Sequence, residues 1–219
     1  ALPILANMVT LTATDGSIVE FYDEIKAQGG IKDVYFSTDK TYVVAFYRKP
    51  INANDKARIN DIVNTHRNRI FTADAIGQYW NAFFAWPTKI VEWKGLTGIV
   101  IPFYDKKFFF SGVADSWPFI KNGQEKNGKW FSSAKLINKI VPVEQKGTFL
   151  TRLHMCLKIA RAMRRLHAAG LAHSDLSYNN VLVDPLSGNA CIIDCDGLVV
   201  PHKFPPEVVG TPGFIAPEV

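Results

Sequence analysis

Three oxygen-bearing side chains, Asp175, Asn180 and Asp194, stand at the borders of two short apolar segments, residues 181–183 and 190–193. Turn residues separate these segments, and the pattern predicts two short strands joined by a turn. Asn180 precedes the first strand and Asp194 follows the second, while Asp175 lies five residues before Asn180. This spacing places the three polar side chains at one point of the fold.

The region before this cluster is the most strongly helical part of the chain. Apolar residues recur there on one helical face: Leu150, Leu153, Leu157, Ala160, Met163 and Leu166. Thr148 is a favourable N-cap and Gly170 a favourable C-terminal residue, so we predict a helix over residues 148–169. The apolar face predicts that this helix lies in the core.

The N-terminal half of the chain mixes strands and helices. Strands are predicted over residues 9–12, 18–22, 34–36, 42–47, 90–93 and 97–102, with a helix over 55–69 and a second helix after Thr72. Strands on both sides of a helical insertion indicate an α+β domain over residues 1–101. A second domain is predicted over 102–219, in which residues 103–148 are the least regular.

The polar cluster has the composition that metal-assisted phosphoryl transfer requires. Asp175 is suited to orient an attacking hydroxyl group and to accept its proton. Asn180 and Asp194 offer the hard oxygen ligands that Mg²⁺ prefers. We therefore interpret Asp175 as a general base and the other two residues as metal ligands.

Composition excludes several other classes of protein. The chain has 219 residues, a net charge of +5 and 47% hydrophobic residues, which excludes a disordered or low-complexity chain. Its basic residues are scattered, so nucleic acid is not an expected partner. The three cysteines form no CxxC pair, and no apolar run is long enough to cross a membrane. We expect a cytoplasmic protein without a membrane segment.

Three motifs resemble those of the protein kinase family. Residues 173–180 resemble the catalytic loop H-R-D-L-x-x-x-N, and residues 194–196 stand where D-F-G would be. Residues 210–218 are similar to the segment G-T-P-x-Y-x-A-P-E. Small-molecule phosphotransferases of the aminoglycoside type share the first two motifs and lack the third, so the third favours a protein-kinase-like chain.

Further features resemble an atypical bacterial branch of these kinases, encoded beside von Willebrand A-type proteins and PP2C-type phosphatases. The features are Gly29-Gly30, Trp86-Pro87, the hinge-like residues 98–102 and residues 193–197. The resemblance implies a PP2C-type phosphatase and a von Willebrand A-type protein as partners.

The resemblance also implies that ATP and Mg²⁺ are the cofactors. The nucleotide-binding residues it implies are Gly29, Gly30, Val34, Ala45, Val100, Ile101 and Leu182, and the metal ligands are Asn180 and Asp194. The hinge is expected at residues 100–102.

The phosphate-binding half of the site departs from the family pattern. The V-A-I-K spacing places Tyr47 at the lysine position, whereas alignment with the bacterial branch places Ala45 there. Lys32 or Lys49 would then supply the missing cation. Asp33 stands where a third glycine of the phosphate loop would fall, which is unfavourable beside phosphates. The predicted helix over 55–69 also lacks the partner glutamate.

We expect a two-lobed kinase-like α+β fold, with an antiparallel-sheet N-lobe and a helical C-lobe truncated after Ala216-Pro217-Glu218. Some apolar surface should therefore be uncovered. The expected function is an ATP- and Mg²⁺-dependent serine/threonine protein kinase of weak activity. The alternatives are a pseudokinase scaffold that binds partners without phosphoryl transfer and a small-molecule phosphotransferase.

Overall fold

The protein is described by a computed structural model, which covers residues 7–201, 203–204 and 210–214. Within these residues one antiparallel sheet has the strand order β1-β2-β3-β4-β6-β5. Its strands are β1 Met8–Thr12, β2 Ile18–Gln28, β3 Lys32–Ser37, β4 Tyr42–Tyr47, β5 Lys89–Trp93 and β6 Leu96–Pro102. All six were predicted from the sequence, although β2 is longer than expected because its far end pairs with β3 across a turn.

The remaining elements are mostly helical, which agrees with the predicted α+β class. The helices are α1 Ala53–Asn60, α2 Arg67–Ile70, α3 Ala75–Asn81, α4 Ala134–Lys139 and α5 Phe149–Ala168. Four short strands follow α5: β7 Ala172–His173, β8 Val181–Asp184, β9 Asn189–Ile192 and β10 Leu198–Val199. The strands β8 and β9 form the predicted hairpin.

An aromatic core covers one face of the six-stranded sheet. Phe21, Tyr35, Phe46 and Trp93 meet there, with ring centroids 5.2–5.7 Å apart, in edge-to-face and tilted arrangements. Because side chains alternate along a strand, the neighbours of these residues point to the opposite face. The sheet therefore has one face that is filled by its own aromatic side chains.

The helix predicted over 55–69 is present and contains a wider π-helical turn, Asp61–His66, between α1 and α2. Ile59, Ile62 and Val63 are buried along it. The indole Nε1 of Trp86 donates to the carbonyl oxygen of Ile62 at 3.1 Å. A buried side chain thus satisfies a backbone group of the π-helical turn.

The chain divides into two compact units. The first unit contains the six-stranded sheet and the helical segment from α1 to residue 69, and the second contains residues 70–85 together with the chain after residue 103. The expected boundary at residue 101 lies beside the later break, whereas residues 70–85 had been assigned to the first domain. They group with the second unit because the N–H of Ala85 donates to the carbonyl oxygen of Ile192 at 2.9 Å.

Further contacts tie residues 70–85 to α5 within the second unit. The guanidinium groups of Arg161 and Arg165 lie 5.3 and 5.5 Å from the ring centroids of Tyr79 and Trp80. These distances are typical of cation–π interactions. Aromatic residues that looked like part of an N-terminal helix thus pack on a helix much later in the chain.

The start of α5 lies against the turn between β8 and β9. Thr148 caps the helix, as predicted, and forms a capping box with Thr151. The preceding residue, Gly147, has a φ of +62°, and a Cβ atom there would lie 2.0 Å from the carbonyl oxygen of Pro185. A side chain would therefore force the helix and the turn apart.

The apolar face predicted for α5 is mostly exposed, which corrects the expectation that this face lies in the core. Leu150, Leu153 and Leu157 are more than half exposed, whereas the buried side of the helix carries Met155, Ala162 and Leu166, of which the prediction included Leu166. That side packs against β9. Both sides of α5 carry apolar residues. The prediction chose the side with more leucines, and most of that side is exposed.

A buried ion pair lies next to β8. The Nζ atom of Lys126 is 3.7 Å from Oδ1 of Asp184, and these residues are 3% and 4% exposed. Burial lowers the pKa of Lys126, and the nearby Asp184 carboxylate partly offsets this effect. The Lys126 Nζ atom also donates to the carbonyl oxygen of Lys107 at 3.0 Å.

None of the helices in the described part of the chain is long and apolar enough to cross a membrane.

The buried ion pair leads to a prediction for stability. Lys126→Met leaves the Asp184 carboxylate buried without its cation, so we expect the free energy of unfolding in urea to fall by about 3–5 kcal/mol. The matched control is Lys56→Met, which removes an exposed pair with Glu92 (Nζ to Oε1, 3.0 Å) and should cost less than about 1 kcal/mol. Equal losses in the two variants would contradict the prediction.

Candidate functional site

The β8–β9 hairpin places Asn180 beside Asp194. Val181 pairs with Ile192, and the N–H of Ile193 donates to the carbonyl oxygen of Asn180 at 3.0 Å. The residues that flank the hairpin therefore leave it at the same end. This is the juxtaposition that the sequence predicted.

The carboxylate of Asp175 is held by two other residues. Its Oδ1 atom accepts hydrogen bonds from the N–H and the hydroxyl group of Thr211, at 2.8 and 2.7 Å. Its Oδ2 atom accepts from Nδ2 of Asn180 at 3.1 Å, and the same Nδ2 donates to the Asp175 carbonyl oxygen at 2.7 Å. The carboxylate is half-buried and fixed in orientation.

His173 connects the loop that carries Asp175 to the end of β9. Its Nε2 atom lies 3.1 Å from the carbonyl oxygen of Ile193, and the N–H of Asp175 donates to its Nδ1 atom at 3.3 Å. These contacts require the tautomer in which Nε2 carries the proton. The imidazole therefore braces the loop.

Asp194 has a left-handed backbone conformation, with a φ of +61°. Aspartate adopts this conformation more readily than most residues, and non-glycine residues with positive φ are frequent at functional sites. A short 3₁₀ turn, Cys195–Gly197, follows, in which Cys195 and Asp196 are buried while Asp194 is exposed. The backbone thus turns the Asp194 carboxylate outward at the end of the hairpin.

The donor set of this cluster fits a divalent cation. Both hydrogen bonds of the Asn180 amide use its Nδ2 atom, so its Oδ1 atom is oriented away from Asp175. The exposed carboxylate of Asp194 is the second oxygen donor. Hard oxygen donors of this kind, completed by water and phosphate oxygens, are what Mg²⁺ prefers.

Burial shifts the pKa values of several groups near the cluster. Burial raises the pKa of Tyr104 far above its usual value, and the carboxylate of Glu125 adds to the effect. Burial also raises the pKa of Glu125 itself and that of the Cys191 thiol, the latter to about 12. Cys191 is therefore a core thiol, and nothing in the sequence indicated the burial of Tyr104 and Glu125.

The predicted nucleotide-binding residues of the first unit are only partly brought together. Val34 pairs with Ala45 across β3 and β4, and Ile101 belongs to the same face by alternation along β6. The side chain of Val100 instead packs in the aromatic core on the opposite face. The side chains of Val100 and Ile101 therefore lie on opposite faces of the sheet, because adjacent residues of a strand alternate.

The other predicted residues differ in exposure. Gly29 and Gly30 form the exposed turn between β2 and β3. Leu182, in the second unit, is fully buried and pairs with Cys191.

In the helical segment of the first unit, the carboxylate of Asp61 is buried and lies 3.4 Å from Nε2 of His66. The Ala216-Pro217-Glu218 motif lies outside the described residues.

The hydrogen bonds to Asp175 lead to a prediction. Asp175→Asn replaces a charged acceptor with a neutral one, so amide hydrogen exchange at Thr211, measured by NMR, should become about tenfold faster. Asp194→Asn serves as the control and should leave exchange at Thr211 unchanged, because Thr211 donates to Asp175. Unchanged exchange in Asp175→Asn would contradict the geometry.

Comparisons with known proteins agree with this geometry. No family model matches the chain. Over 77 residues it is 42% identical to the rat dual specificity testis-specific protein kinase 1, a match that spans 31% of this chain and 12% of the relative. It is also 36% identical over 72 residues to the human dual serine/threonine and tyrosine protein kinase, of which it covers 8%. The chain thus spans only a small part of the curated relatives that it matches.

Solved kinase structures share the fold over most of this chain. A rhoptry kinase from Toxoplasma gondii has a TM-score of 0.51 at 14% identity, with 89% of this chain and 51% of that chain covered. A further kinase domain has a TM-score of 0.52 at 13% identity, with 92% and 56% covered. The chain has a kinase-like fold.

Proposed function

We propose that this protein is an ATP- and Mg²⁺-dependent protein kinase that phosphorylates serine or threonine side chains. The observation that carries the proposal is the Asp175 carboxylate, held at Oδ1 by Thr211 and at Oδ2 by Asn180. A carboxylate fixed in this way is suited to orient a hydroxyl nucleophile.

The proposed reaction is a single displacement at the γ-phosphorus of ATP. The substrate hydroxyl oxygen forms a bond to the γ-phosphorus, and the bond from that phosphorus to the bridging oxygen of ADP breaks. The hydroxyl proton passes to the Asp175 carboxylate, and ADP leaves with the electron pair of the broken bond. Asp175 supplies both the orientation and the base.

Asn180 and Asp194 would hold Mg²⁺. The ion neutralises negative charge on the phosphate oxygens when it is bound. The chain contributes the exposed Asp194 carboxylate and the Asn180 amide, which the bond between Ile193 and Asn180 keeps together.

Serine and threonine are the proposed acceptors because the hydroxyl group of Thr211 contacts Asp175, which resembles the arrangement in serine/threonine-type kinases. The segment between Asp194 and Gly210 contains no Ser, Thr or Tyr, so we propose that activity does not depend on phosphorylation of this segment. We propose a cytoplasmic location because the three cysteines form no disulfide bond.

The proposed partners are a PP2C-type phosphatase and a von Willebrand A-type protein. This assignment rests on the resemblance to the bacterial kinase branch alone. Co-purification of either protein from a bacterial host that encodes all three would support it.

A scaffold without phosphoryl transfer is the second candidate function. One observation favours it: neither Ala45 nor Tyr47, the two residues at the expected lysine position, carries a positive charge. To distinguish the two candidate functions, nucleotide binding must be measured separately from phosphoryl transfer.

Nucleotide binding can be measured by the melting temperature. A ligand that binds only the folded protein raises this temperature, so we expect ATP with Mg²⁺ to stabilise the protein. Asp194→Asn should abolish the part of the increase that depends on Mg²⁺, because asparagine also tolerates a left-handed backbone and removes only the charge. An unchanged Mg²⁺ effect in this variant would contradict the metal assignment.

Transfer can be measured with radiolabelled ATP and a generic protein substrate. Asp175→Asn should lower the rate by about 10²- to 10⁴-fold while nucleotide binding is retained, since the residue acts on the hydroxyl group. Binding without transfer by the unmodified protein would support the scaffold. Transfer to small alcohols and to no protein would support a small-molecule phosphotransferase.

A further inference from the structure

Lys32 lies on β3, directly beside a β4 position at which the family's lysine is expected. In the register of β3 and β4, Lys32 pairs with Tyr47 and Val34 pairs with Ala45. Cross-strand partners project from the same face of a sheet. Lys32 therefore shares a face with both residues that the two sequence alignments place at the lysine position.

This face is distinct from the aromatic core. Val44 and Phe46, the neighbours of Ala45 along β4, pack in that core. Tyr47 and Ala45 must then point to the other side, and Lys32 with them. The cation thus lies on the side of the sheet that the expected nucleotide-binding residues Val34 and Ala45 also share.

The ring of Tyr47 holds the ammonium group of Lys32. The Nζ atom lies 5.5 Å from the ring centroid, within the range of a cation–π interaction. Such a contact restrains the ammonium group on this face of the sheet. Tyr47 thus provides a support for the cation rather than the cation itself.

Two other cations near this strand are arranged differently. The guanidinium group of Arg48 donates to the carbonyl oxygens of Gly29 and Gly30, and its Nε atom lies 3.7 Å from Oδ1 of Asp33. Lys49 is exposed beyond the end of β4. Arg48 therefore neutralises the unfavourable Asp33 and stabilises the turn, while Lys49 lies outside the paired strands.

The turn before Lys32 is exposed, with the N–H of Gly29 donating to the Lys32 carbonyl oxygen at 2.9 Å and both glycine carbonyls accepting from Arg48. Neither Gly29 nor Gly30 has a positive φ, and a Cβ atom would meet at nearest the Lys32 carbonyl oxygen, 3.6 Å from the one at Gly29. The fold itself thus does not require glycine at these positions. Two glycines without side chains, in an exposed turn that ends two residues before a cation, leave room for a phosphate group to approach.

We propose that Lys32 is the residue that binds the α- and β-phosphates of the nucleotide. It performs from β3 the role for which the family pattern expects a lysine on β4, and the Tyr47 ring positions it. This inference rests on the proposed function, since it presumes that the chain binds ATP.

The test compares ATP with adenosine as ligands, measured by titration calorimetry in the presence of Mg²⁺. Lys32→Met should weaken ATP binding by about 10- to 100-fold, the range expected for hydrogen bonds to a charged group, and leave adenosine binding unchanged. A merely structural role of Lys32 would weaken both ligands alike.

A relocated lysine provides a stricter test. The double variant Lys32→Met/Tyr47→Lys moves the cation one position across the sheet, and it should recover most of the lost ATP affinity. Lys26→Met, in which an exposed lysine of β2 is removed, is the control for loss of one positive charge and should bind ATP normally. Lys49→Met tests the rival cation and should also bind normally.

The failures of the two proposals are distinguishable. If the unmodified protein does not bind ATP with Mg²⁺, the proposed function is wrong. If it binds ATP and Lys32→Met binds equally well, or if Lys49→Met alone loses affinity, only the assignment of Lys32 is wrong. Equal losses for ATP and adenosine in Lys32→Met would also overturn the assignment.

Discussion

The hydrogen bond from the N–H of Ile193 to the carbonyl oxygen of Asn180 is the link on which the candidate site depends. It fixes the residue before Asp194 to the residue whose amide holds Asp175. From Asp175 the connection continues to Thr211. Four polar positions, separated by as many as 36 residues in the chain, are thus joined by hydrogen bonds of backbone and side-chain groups. Such connected networks are sensitive at every link, because an unpaired buried polar group is costly.

In the first unit, side chains alternate between the two faces of a strand, and this alternation places charges of opposite sign on opposite faces of the sheet. Lys32 and Asp33 are neighbours in sequence, yet the Asp33 carboxylate lies with Gln28 and Arg48, while the Lys32 ammonium group lies over Tyr47. The Asp33 carboxylate, which was expected to be unfavourable beside phosphates, is thereby paired with Arg48 on the opposite face of the sheet. Sequence proximity suggested a conflict, and the pleat of the strand removes it.

Local patterns predicted the strands and the polar cluster well, because both depend on short-range features. Alternation along β4 and the turn between β8 and β9 are examples. Three features could not be predicted in this way: the exposed side of α5, the position of residues 70–85 and the orientation of Val100. Each depends on the surface that it packs against, and a local sequence pattern does not specify that surface. The pairing of Lys32 with Tyr47 required the strand register, which the spacing of motifs does not specify.

The close approach of Gly147 to Pro185 leaves no room for α5 to slide relative to the β8–β9 turn. The helix also packs along β9, so a shift of α5 would have to displace the hairpin as well. The exposed leucines lie on the outer surface of α5, and the polar ends at Asn180 and Asp194 lie at the end of the hairpin far from the turn. A rotation imposed on the outer surface of the helix would therefore be carried along the hairpin to the residues proposed to hold the metal ion.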